Sequence, residues 1–109
     1  MCIRDSTGTF YEIDADGNKV TRIVGNNYQI VAGAEYVNVK GDVNLTIDSN
    51  CNTYIKGNWN IQVDGNKTEV VTGAVSETYK ANQTTNITGT LDLDASSEVD
   101  IDAGVINLN

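Results

Sequence analysis

Histidine is absent from the chain, which removes imidazole from any catalytic or metal-binding scheme. Cations are few: 7 Lys and Arg stand against 15 Asp and Glu, a formal charge of −8. No basic cluster exists to neutralise phosphates, so nucleic acid and anionic membrane are excluded as partners held by charge. No apolar run approaches the roughly 18 residues that span a bilayer, and no positively charged leader precedes an apolar stretch of export-signal length. Two cysteines, Cys2 and Cys51, are too few for the disulfide framework of a small secreted scaffold. Aromatic residues make up only 6% of the chain, and 109 residues allow one domain at most.

What the chain does have is a repeat. Gly17, Gly25, Gly33, Gly41, Gly57, Gly65, Gly73 and Gly89 share one frame of eight residues. The three remaining frame positions hold Ser49, Ala81 and Ser97, all small, while Gly8 and Gly104 each miss the frame by one. Two residues before each frame position runs an apolar row: Ile23, Val31, Val39, Ile47, Ile55, Val63, Val71, Tyr79 and Ile87, continued in smaller form by Ala95. Asn follows the frame position at 18, 26, 50, 58, 66 and 82.

Because eight is even, every row keeps its pleat parity, and odd and even positions form two faces of one extended ribbon. Odd positions from 19 to 103 carry most of the large apolar residues; even positions carry most of the charges, including Arg22, Lys40, Asp42, Lys56 and Lys80. Alternation at period two predicts strands with one buried face and excludes an amphipathic helix. Residues 1–6 show neither frame nor alternation and read as a non-native or disordered leader. Residues 7–20 read as a lead-in segment, with a strand around Phe10 and Ile13 and a tight turn at Asp16, Gly17 and Asn18. Residues 21–109 are the repeat region, and after Gly104 the parity slips to Ile106 and Leu108, as at a bulge or final corner.

An octad is long enough for one strand and one bend. Glycine at the frame position is expected to turn the corner, either through a positive φ or because another backbone passes close by. One buried face cannot offset the conformational entropy of so long a ribbon. Three chains wound about a common axis bury the apolar row three times and leave no open edge. The expected fold is therefore all-β: an intertwined triple-stranded β-helix, a homotrimeric prism built from octapeptide repeats. The frame glycines form its corner row and the series Ile23 to Ile87 its core row. Two other architectures stay open, an antiparallel meander with hairpins at the Gly-Asn pairs 17, 25, 57 and 65, and a single-chain solenoid of three octads per coil.

The motifs Ile30-Val31-Ala32-Gly33, Val39-Lys40-Gly41, Ile55-Lys56-Gly57-Asn58 and Val63-Asp64-Gly65-Asn66 resemble the triple-stranded β-helix of contractile-tail central spike proteins. That family includes the baseplate hub and cell-puncturing proteins of T-even-type phages and the valine-glycine repeat spikes of type VI secretion. The stretch Thr7 to Asp14 with Asp16 to Lys19 is similar to the segment leading from the family's upstream β-barrel into its helix. Asp100 to Leu108 is similar to repeats near the far end of such spikes. The resemblance runs from Thr7 to Asn109 and implies a non-enzymatic virion component: a stiff homotrimeric needle that pierces the host outer membrane when the sheath contracts. It further implies a conical tip protein at the C-terminal end and baseplate hub proteins at the N-terminal end. The family's upstream barrel and lysozyme domain have no counterpart here, so the sequence reads as a fragment of a longer chain. Its iron site, built on His-x-His, cannot be carried over. A trimeric adhesive or receptor-binding fibre shaft is the alternative.

Few residues offer chemistry. Glu69 and Glu77 lie eight apart on the inward face, which also holds Glu35, Lys19 and Lys67, but a needle has no cleft in which a carboxylate pair would act on a sugar. In an intertwined prism Lys67 and Glu69 of neighbouring chains are expected to pair or to enclose water and ions. Asp92, Asp94, Glu98, Asp100 and Asp102 fall on the outer face, where one strand spaces them too far apart to wrap a calcium ion, though three chains at a symmetry axis could; a solvated outer face is expected. Tyr28, Tyr36 and Tyr54 fall on the outer phase, where cross-strand packing is expected, and Trp59 and Cys51 on the inward phase as core. No catalytic residue, cofactor or metal ligand is assigned.

Overall fold

In a computed structural model, residues 2–109 are described. They are all-β and contain no helix, and so none long and apolar enough to cross a membrane. Three short strands, β1 (Cys2–Arg4), β2 (Phe10–Ile13) and β3 (Lys19–Arg22), form an antiparallel sheet in the order β1-β2-β3. Ile3 lies opposite Tyr11, and Tyr11 opposite Thr21. The segment expected as a leader thus supplies β1. Arg4 is tied to β2 by an ion pair to Glu12 at 3.1 Å and stacks its guanidinium 4.5 Å from the Phe10 ring.

Both turns of this sheet are built the same way. The Asp14 carboxylate accepts hydrogen bonds from the amides of Asp16 (3.0 Å) and Asn18 (2.9 Å), while the Gly17 amide donates to the Asp14 carbonyl at 3.2 Å. Nine residues earlier, Asp5 accepts from the amides of Thr7 (3.0 Å) and Thr9 (3.1 Å), and Gly8 donates to the Asp5 carbonyl. Gly8 and Gly17 have φ of 93° and 83°, left-handed values that strain any side chain with a Cβ. An acceptor three residues before a left-handed glycine is what a three-residue hairpin loop requires.

The chain divides into two units, Met1–Lys56 and Gly57–Asn109. In the first, the backbone beyond β3 bends at 24–25, 32–33, 40–41 and 48–49; the division falls at the bend at 56–57. In the second it bends at 64–65, 72–73, 80–81, 88–89 and 96–97, and again at 104. Each bend but the last ends on a frame residue, whether glycine or Ser49, Ala81 or Ser97. Between bends the chain is extended but unpaired: C-terminal to Arg22 no backbone-to-backbone hydrogen bond forms among the described residues. Neither the meander nor the single-chain solenoid therefore forms beyond β3, and of the four Gly-Asn pairs only Gly17-Asn18 closes a hairpin. Gly25, Gly57 and Gly65 lack the aspartate three residues upstream, where Arg22, Tyr54 and Gln62 stand instead.

Among the described residues no hydrophobic side chain is buried, and the accessible surface totals 11990 Å². A compact monomer of this mass, 11.7 kDa, exposes roughly 5,900 Å² on the usual size scaling. Half of the surface that a folded domain removes from water thus remains exposed in the single chain.

Candidate functional site

The residues with an organised geometry are the two rows that accompany the bends. Each core-row residue stands just before its bend and is partly shielded by it: Ile23 is 39% exposed, Ile55 42%, Ile87 44% and Val71, the most open, 57%. On the opposite phase Ile30 and Tyr36 are nearly bare, at 94% and 93%. Tyr28 and Tyr54 are similarly open, without the cross-strand packing expected of them. Trp59 and Cys51, expected in a core, are exposed in the single chain.

The corner row departs from expectation in one respect. Gly25, Gly33, Gly41, Gly57, Gly65, Gly73 and Gly89 do not have positive φ, so the backbone conformation alone does not call for glycine. Nor does this chain crowd them, since a Cβ built at any of these positions meets nothing within 4 Å. Gly17 alone of the corner row has the positive φ, and it belongs to the hairpin. The first corner is fastened to the sheet: the Val24 amide donates to the Thr9 hydroxyl at 3.2 Å, and a Cβ on Gly8 would lie 3.5 Å from a Val24 methyl.

Polar side chains on the inward phase are paired within the chain. Lys67 Nζ lies 3.0 Å from Glu69, where pairing between chains was expected. The Tyr79 hydroxyl donates to Glu77 at 3.1 Å, and Gln29 Nε2 donates to Glu35 at 3.4 Å. The hydrogen bond to Glu77, helped by that carboxylate's charge, pushes the Tyr79 phenol above its ordinary pKa. Hydrogen bonds from Thr7 hold Asp5 below the usual carboxylate range, and those from Asn18 do the same for Asp14. These two turn aspartates were not singled out from the sequence, although the spacing Asp-x-x-Gly marks both.

No pocket forms among the described residues, and no three His, Cys, Asp or Glu side chains gather there as a metal ion requires. The structure does not bring Glu69 and Glu77 into a cleft, nor Asp92, Asp94, Glu98, Asp100 and Asp102 into a cluster. What the arrangement offers chemically is a periodic apolar face, a row of small residues and a long set of unpaired backbone groups.

No protein-family model and no solved structure matches the chain. Over 41 residues it is 46% identical to Protein Gp5 of Vibrio phage KVP40, a match covering 38% of this chain and 10% of that protein. The chain thus spans about a tenth of the length of the curated relative it matches, and is related in part to a phage protein.

Proposed function

We propose that three copies of the chain wind around one another into a triple-stranded β-helix, a stiff segment of a phage contractile-tail central spike. The core row, Ile23 to Ile87, faces the common axis, and the frame residues make the corners. The function is mechanical: strands hydrogen-bonded between copies resist bending while force passes through the tip, and the spike pierces the host outer membrane. No catalytic step is involved. Such a segment is made in the host cytoplasm, works in the virion, joins baseplate hub proteins at its N-terminal side and receives a conical tip protein at its C-terminal side.

The observation that carries this reading is that no hydrophobic side chain is buried among the described residues of a chain whose apolar residues alternate so regularly. The backbone supports it as well, since extended segments with no partner of their own are strands awaiting one. The glycine row adds a third line: neither φ nor the chain's own atoms explain it, whereas close approach by another copy does. The partial likeness to Protein Gp5 of a phage supports a phage origin for such a segment. Light scattering at micromolar concentration tests it, with an expected mass of three times 11.7 kDa, about 35 kDa. A monomeric mass would overturn it. A receptor-binding fibre shaft is the second reading, favoured by the bare outer-phase Tyr28, Ile30 and Tyr36; binding of the isolated trimer to host cells would select it.

A further inference from the structure

A ribbon with a period of eight has a problem that its regularity creates. If one copy slides by an octad against its neighbours, frame residues still meet frame residues and the core row still meets the core row. The periodic rows that drive assembly therefore cannot choose its alignment; residues that break the repeat can, and those on the inward phase lie where the copies meet. Between Ile23 and Ala103 the inward phase holds one cation, Lys67, and three anions, Glu35, Glu69 and Glu77. Glu35 is engaged by Gln29 and Glu77 by Tyr79, while Lys67 and Glu69 form the one ion pair among the described inward residues. An octad shift places Lys67 level with Trp59 or Val75 of the next copy, and Glu69 level with Ile61 or Glu77.

We propose that the Lys67–Glu69 pair sets the register of the homotrimer: aligned copies gather their three pairs into one polar layer, and shifted copies bury each pair by itself against apolar or like-charged neighbours. The inference rests on the homotrimeric reading. A lone ion pair buried among apolar groups, without further polar partners, costs more in desolvation than its own attraction returns, whereas replacing both members by apolar residues is often neutral or stabilising. A polar layer can therefore cost stability and still specify alignment, as a single buried polar residue does in coiled coils.

The test uses spin labels at an outward position, Asn44→Cys, in the full chain with Cys2→Ser and Cys51→Ala. Light scattering reports the mass and pulsed electron resonance the distances between labels. With Lys67 and Glu69 present, the expected result is a trimer with one narrow distance, because three aligned labels are equivalent. In Lys67→Val/Glu69→Val the mass is expected to stay trimeric while two or more distances appear. The exchanged pair Lys67→Glu/Glu69→Lys is expected to restore one distance. A single distance in the valine variant would overturn the proposal, showing that Trp59 or the N-terminal sheet sets the alignment. Several distances in the parent or in the exchanged pair would overturn it too. Loss of trimer mass in the valine variant would do the same, since the pair would then hold the copies together rather than align them. A monomeric parent would sink the homotrimer itself, a failure told apart by mass alone.

Discussion

Residues 2–22 and residues 23–109 use the same materials, alternating side chains punctuated by glycine, to opposite ends. In the first region each glycine sits three residues after an aspartate, takes a positive φ and folds the chain back onto itself. In the second each frame residue follows an apolar residue by two, avoids positive φ and only bends the chain onward. The first region supplies its own backbone hydrogen-bond partners; among the described residues the second makes no backbone-to-backbone hydrogen bond. Punctuation alone therefore does not decide between hairpin and corner. In residues 2–22 the aspartate three positions upstream caps each turn, and among the described residues no such cap forms at the later frame positions.

The largest effect expected from this contrast comes from a charge on the core row. Val39→Asp is expected to reduce the trimeric mass to that of a monomer, because a carboxylate would be carried to the axis without a partner. Ile30→Asp, on the bare opposite phase, is expected to leave the mass unchanged. A smaller effect is expected at the corners. Gly57→Leu meets nothing in its own chain, yet is expected to lower the melting temperature of the assembly by several degrees, whereas Gly57→Ala changes it little, as Ala81 stands at the same frame position. Equal tolerance of both substitutions would remove the argument for a neighbouring copy at the corner.

Within the hairpin region the same kind of change acts for a different reason. Gly17→Ala forces a Cβ into the left-handed region at a cost of roughly 1–2 kcal/mol. Amide exchange in β2 and β3 is then expected to speed up about tenfold, with no change in the assembled mass. The smallest effect is that of pH. Asp5 and Asp14 titrate lower when folded than when unfolded, so the stability they add is present above the ordinary carboxylate pKa of about 3.9 and is lost as pH falls through the depressed folded values. Protection of the Thr9 and Asn18 amides, corrected for intrinsic exchange, is expected to fall below about pH 4 while it holds between pH 5 and 7.

Much of the ribbon was legible in the sequence because its period is even and its frame strict. Glycine, Ser49, Ala81 and Ser97 were assigned to one position, and the backbone bends at all of them. Of the two reasons for glycine at a corner, positive φ occurs within the corner row only at Gly17, where Asp14 caps the turn, and close approach of another backbone is not met within the single chain. Cys2–Arg4 escaped notice because three residues carry too little periodicity to announce a strand, and only their pairing with Phe10 to Glu12 reveals one. The inward polar pairs could be placed on a face from parity, but not matched with partners: parity leaves Glu77 equally open to Lys67 and to Tyr79, and side-chain reach settles it.

Hydrogen exchange across the whole chain tests the central claim most directly, because it reads both regions in one experiment. At micromolar concentration, amides between Ile23 and Asn109 are expected to be protected at least as strongly as those of β2 and β3, since copies supply the hydrogen bonds that the single chain does not make. Exchange at the unstructured rate throughout that stretch, with protection confined to β2 and β3, would contradict it.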